Sequence, residues 1–171
     1  MSNRLAFLKE WTGKSTATIL YDSNNDEFTD DGLFESIRGK PGVAIVACTT
    51  TGDVFGGFYS VAVAKRNCPV RDPGIFVFSF GLRGRCVPPQ RFLPKREAVG
   101  SLSVKFCKHS PYRWFVRFDG VVGWFHLGNE HSHTYCHNLA DILEGVEETT
   151  LTQRRDSTNH CCSRLVAVQL A

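Results

Sequence analysis

Val43-Ala-Ile-Val-Ala-Cys-Thr-Thr-Thr-Gly52-Asp-Val-Phe-Gly56-Gly57-Phe-Tyr-Ser60-Val-Ala-Val-Ala64, followed after a polar break by Ile75-Phe-Val-Phe-Ser-Phe80, is the stretch on which the fold turns. It holds three apolar runs of strand length, rich in β-branched and aromatic residues and separated by turn-forming residues, which predicts three central strands of a mostly antiparallel sheet. Thr51-Gly52-Asp53 supplies the turn of a hairpin between the first two, because Gly52 tolerates the positive φ that short hairpin loops need. Gly56-Gly57 stands inside the second strand. Each glycine there costs about 0.5–1 kcal/mol relative to alanine, so the pair predicts a bend or bulge, or the close approach of another backbone, with direct ligand contact as the alternative.

Composition supports a β-rich globular domain. The 171 residues are ample for one domain with a core and short for two, and 42% of them are hydrophobic against 22% charged. Thirteen Phe against one Met suit a packed sheet interior better than a helical bundle. The net charge of +3 is too small by itself to argue for nucleic acid or an anionic membrane. Neither a signal-peptide core nor an apolar run of about 18 residues is present, so the expectation is a soluble, cytoplasmic protein, with a nuclear location as the alternative, and no membrane insertion. Seven scattered cysteines without a Cys-x-x-Cys pair predict reduced thiols rather than a disulfide framework or a cysteine-rich zinc site.

Outward from the central strands, Leu5, Leu8 and Trp11 recur at helical spacing behind Ser2, which predicts a short helix over 3–11 that ends at Gly13 and lays Leu8 and Trp11 on the sheet. A strand is expected over 16–21, and a helix over 30–37 capped by Thr29, with Asp30 and Asp31 at its positive end and Leu33, Phe34 and Ile37 on its buried face. Residues 65–74 and 81–94 read as loops, the second long enough to be functional. Strands follow over 101–106, 114–118 and 122–127, the last two joined at Asp119-Gly120. A short capped helix is expected over 138–143, a loose polar segment over 153–162, and a final strand over 165–170 able to pair with 16–21. About eight strands with few helices make an α+β, mostly β chain: two antiparallel sheets packed as a sandwich with short helices at the ends.

The block Gly52-Asp53-Val54-Phe55-Gly56-Gly57-Phe58-Tyr59-Ser60, followed by Phe76-Val77-Phe78-Ser79, resembles the signature strands of the TLDc domain family in both residues and spacing. The resemblance extends over about 15–151, is strongest over 43–80, and implies one TLDc-like domain over 1–171 of the short stand-alone kind found in protists. Two departures stand out: Glu27-Phe28 replaces the family's glycine after the aspartate, and Glu148-Thr149 lacks its tryptophan. The resemblance implies a non-enzymatic protein-interaction module linked to protection against oxidative stress and, for several members, to binding the vacuolar proton-pumping ATPase.

Several patterns with chemical potential compete with that expectation. Arg83, Arg85 and Arg91, interleaved with Leu82, Val87, Phe92 and Leu93, form a candidate contact loop in which Arg83, Arg85, Arg91 and Phe92 would meet a protein partner. A DNA-binding stress regulator, gripping phosphate through the same arginines, is one alternative, and a weak hydrolase or peroxide-reactive protein is the other. Cys86 beside Arg85 is a redox candidate, since a positive neighbourhood lowers a thiol pKa. His126, Glu130, His131, His133, Cys136 and His137 could in principle meet a zinc ion, but their spacing matches no known zinc signature. Asp22, Asn24 and Asp26 alternate as in a calcium loop, yet Glu27 stands where that loop needs glycine and Leu33 where it needs its closing glutamate. Ser60, Cys136, His137, Asp141 and Glu147 provide hydrolase residue types without a nucleophile-elbow or papain-like context. Gly13-Lys14-Ser15 lacks the earlier glycine and the preceding strand of a phosphate loop. The expectation is therefore no cofactor and no resident metal.

Overall fold

The computed structural model describes residues 2–81, 88–108, 114–120, 124–128, 133–146, 151 and 160–171. Among them are helices α1 (Ser2–Thr12), α2 (Asp30–Ile37) and α3 (Leu139–Ile142). The strands are β1 (Ala17–Asp22), β2 (Val43–Thr49), β3 (Val54–Tyr59), β4 (Val70–Arg71), β5 (Phe76–Gly81), β6 (Gln90–Phe92), β7 (Ser103–Phe106), β8 (Trp114–Asp119), β9 (Trp124–Gly128), β10 (His133–His137) and β11 (His160–Leu170). All pairings are antiparallel. The first sheet runs β1-β11-β2-β3-β5-β6 and the second β4-β7-β8-β9-β10, joined where His133 and Thr134 pair with Cys161 and His160. This is the sandwich-like α+β arrangement that the strand pattern predicts.

The unbroken apolar runs of β2, β3 and β5 follow from burial on both faces of the first sheet. Alternation sends Val43, Ile45, Ala47, Phe55, Tyr59, Val77, Leu165 and Ala167 to the inner side, where Val104, Phe106, Val116, Phe118 and Leu127 of the second sheet and Leu33, Phe34 and Ile37 of α2 meet them. The opposite faces of the same strands send Ala44, Val46, Val54, Phe58, Phe76, Phe78, Phe80, Val166, Val168 and Leu170 to a separate outer cluster beneath Leu8 of α1. An antiparallel sheet with one wet face would have shown polar residues at every second position.

The glycine pair has a steric cause. Register is regular through it, Val46 facing Gly56 and Ile45 facing Gly57, while the irregularity lies between Val54 and Phe55 in the pairing with β5. A Cβ on Gly56 would stand 2.0 Å from the Ile45 carbonyl oxygen and 2.7 Å from Phe78 Cζ. On the other face, the Phe118 ring occupies the space a Gly57 side chain would need. At Gly56 the close neighbour is the backbone of Ile45, as expected, whereas at Gly57 it is an aromatic side chain of the second sheet.

Local signals place the flanking elements. Thr29 Oγ1 accepts from the Gly32 amide at 3.0 Å and starts α2. Gly13, with φ 67°, ends α1 in a Schellman turn: its amide donates to Glu10 O and that of Lys14 to Lys9 O. β1 pairs with β11 as expected, Ala17 facing Leu170. The fold departs from the sequence reading in its short pieces. β4 and β6 lie within segments read as loops, and β10 lies beyond the strand expected over 122–127. The segment expected to be loose over 153–162 already joins β11 at His160, with Cys162 fully buried. Asn138 caps α3 by position only, with φ 47° and no side-chain bond to the helix.

Candidate protein-interaction face

The segment after β5 begins the candidate contact region. Arg83, Arg85 and Cys86 lie outside the described residues. From Pro88 onward, the chain returns as β6, where Arg91 faces Phe78 and Phe92 faces Val77. These two neighbours point opposite ways, as strand geometry requires. Phe92 turns inward and is 5% exposed, so it anchors the segment to the core and offers no ring to a partner. Arg91 turns outward over the other face: its Nη1 donates to Trp11 O at 2.6 Å, and its guanidinium lies 5.7 Å from the Phe76 ring centroid. The cation thereby meets the negative end of the α1 dipole and the face of an aromatic ring.

Beyond β6 the backbone is held on its far side as well. Leu93 O accepts from the Glu144 amide at 2.9 Å, Pro94 bridges Leu143, and the Lys95 amide donates to Ile142 O at 2.9 Å. A turn then forms in which the Ala98 and Val99 amides both donate to Lys95 O, and Ser101 Oγ donates to Ala98 O. Ala98 is buried beneath this turn, whereas Leu93 and Val99 remain 42% and 37% exposed. Arg96 and Glu97 are exposed between them. The result is a backbone pinned on both sides that presents aliphatic side chains among charges.

The other candidates fall into place without assembling a reaction centre among the described residues. Ser60 Oγ donates to Asp72 Oδ1 at 2.7 Å, and the same buried carboxylate accepts from the Ser60 and Gly74 amides. Ser60 therefore ties the end of β3 to the turn before β5. Gly52 has φ 88° in the β2–β3 turn, and Phe55, Phe58, Phe76 and Phe78 are all core residues. Asp22 is engaged by Arg164 through Nε at 2.8 Å and Nη2 at 2.5 Å, and also accepts from the Asn24 amide. The Arg164 hydrogen bond holds the Asp22 carboxyl below its ordinary range. Asp26 accepts from the Asp22 amide, and Tyr21 Oη donates to Glu27 O, so protein groups already bind oxygens of the acidic turn.

Burial pushes the thiols of Cys48 and Cys107 up, which opposes thiolate formation, although Arg4 and Arg164 pull Cys48 the other way. Cys162 is buried, its Sγ 3.1 Å from Arg164 O. Glu130, His131 and Glu147 lie outside the described residues, while His126 falls in β9 and His133, Cys136 and His137 in β10. No helix among the described residues is long and apolar enough to cross a membrane. No family model and no curated protein matches the chain.

Proposed function

We propose that this protein is a non-enzymatic protein-interaction module whose contact face is the segment running from β6 to the 95–99 turn. One observation carries the reading. Among the described residues three large hydrophobic side chains are exposed, and two of them, Leu93 and Val99, lie on this segment. Aliphatic groups held on a fixed backbone and rimmed by Arg96 and Glu97 match the apolar centre and charged rim of a protein contact. The resemblance of residues 52–60 and 76–79 to TLDc domains extends the proposal to a role in oxidative stress protection, with subunits of the vacuolar proton-pumping ATPase as partners.

Arg91 separates this reading from phosphate binding. Its guanidinium is already committed to Trp11 O and Phe76, so a DNA backbone would have to compete for it. The deciding experiment is affinity recovery from the native cell with partners identified by mass spectrometry, comparing wild type with Leu93→Asp/Val99→Asp. Partners held by the wild type should be lost from the double variant while its circular dichroism is unchanged. Equal recovery by both would overturn the proposed face. Duplex DNA bound below micromolar Kd, with a steep salt dependence removed by Arg83→Ala, Arg85→Ala and Arg91→Ala, would replace it with the DNA-regulator reading.

A further inference from the structure

The two faces of the first sheet are covered by unlike means. The inner face meets a second sheet and α2, whereas the outer cluster of Phe58, Phe76, Phe78 and Phe80 is covered, among the described residues, by α1 alone. Leu8 is fully buried there, and Leu5, Phe7 and Trp11 are partly buried. Trp11 stacks on Phe80 at 5.6 Å with an interplanar angle of 8° and meets Phe76 edge-on at 6.3 Å. Arg91 closes the C-terminal end of the helix through Trp11 O.

The attachment is separable. No α1 residue belongs to the inner core, so the packing between the sheets does not depend on the helix. An isolated helix of 11 residues is marginal in water, so α1 needs an apolar face as much as the face needs a cover. Its link to β1 is residues 13–16, with a left-handed Gly13 at the hinge.

We propose that the outer face of the first sheet is a helix-binding groove, filled in cis by α1 and able to accept the α1 of a second copy of this chain by reciprocal exchange. The occupant follows from complementarity. The groove already fits Leu8 and Trp11, three residues apart on one helix face, and places a cation at the helix end, so an identical helix makes the same contacts from another molecule. The hinge sets the geometry: Ser15 and Thr16 are held by Ala171 O, so Gly13 and Lys14 are left to swing, about 7 Å when extended, and exchange brings the two grooves close together about a two-fold axis.

The test uses full-length protein and a fluorescein-labelled peptide of residues 2–14. Leu8→Ser/Trp11→Ala weakens the helix in cis, and this variant should bind the peptide at least about tenfold more tightly than wild type, because the competing cis helix is removed. Adding Arg91→Ala should reduce that binding. Wild type concentrated and cycled once through mild heating should show a dimer by sedimentation that the Leu8→Ser/Trp11→Ala variant does not form. The proposal is overturned if the folded variant ignores the peptide. It is equally overturned if the variant loses slow amide exchange in β2 and β11, since α1 would then be integral to the fold, or if wild type stays monomeric at every concentration.

Discussion

A Cβ on Gly57 would stand 2.6 Å from Phe118 Cζ and 2.8 Å from two further atoms of the same ring, so any side chain there competes directly with the inter-sheet packing. Gly57→Val should cost on the order of 2–4 kcal/mol and lower Tm by about 5–15 °C in a thermal melt. Gly57→Ala combined with Phe118→Leu should be less destabilised than the sum of the two single changes, because the smaller side chain vacates the contested space. An unchanged Tm for Gly57→Val would show that Phe118 does not occupy this position in solution. Tyr59 behaves oppositely. Its hydroxyl is fully buried and meets no hydrogen-bond partner among the described residues, and burial drives its pKa far up. Tyr59→Phe removes that unpaired group while keeping the ring against Phe106, so stability should hold or rise by up to about 1 kcal/mol in denaturant unfolding.

Elements with strong local signals were legible in the sequence, and the short ones were not. Helix α2 has a capping threonine, acids at its positive end and apolar residues at helical spacing, and all three operate in the fold. Thr29→Ala should therefore cost about 1 kcal/mol, measured as a shift of the denaturant midpoint, whereas Thr29→Asp should retain most of the stability. β4 spans two residues and β6 three, too few for alternation to emerge above loop composition. Neighbours create these strands: β5 offers a ladder edge to β6, and β7 does the same for β4. The same cause explains Phe92. Its place among charged residues suggested a surface anchor, but pairing with Val77 directs the ring into the core. Leu93, read in the sequence as an apolar anchor among the charges, is exposed, whereas Val99 carries no sequence mark of exposure, because its position depends on how the turn after Lys95 is held.

At the scale of the molecule, β11 is the shared spine, pairing with β1, β2 and β10. Asp22 on β1 and Arg164 on β11 are joined by a two-point ion pair across this spine. Because the folded Asp22 carboxyl titrates below its unfolded value, the folded state binds fewer protons. Its contribution is fully present above the unfolded carboxylate pKa of about 3.9 and is lost as pH falls through the lower folded value. Arg164→Gln should accordingly shrink the stability lost between pH 6 and pH 2, read from urea midpoints at the two pH values. An undiminished acid loss in the variant would show that other carboxylates govern that transition.

The amino-acid sequence alone determined the β-rich class, the central hairpin, the two longer helices and the existence of the first and last strands, since each rests on periodicity, capping or turn residues acting over a few positions. Tertiary structure decided the rest, because the deciding neighbours are distant in the chain. Phe118 explains Gly57, Asp72 occupies Ser60, Trp11 and Phe76 claim Arg91, and α1 covers the aromatic face that an open sheet would expose to water. Contacts between residues 12 to 80 positions apart leave no local periodic trace, so they become visible only when the sheets close on each other.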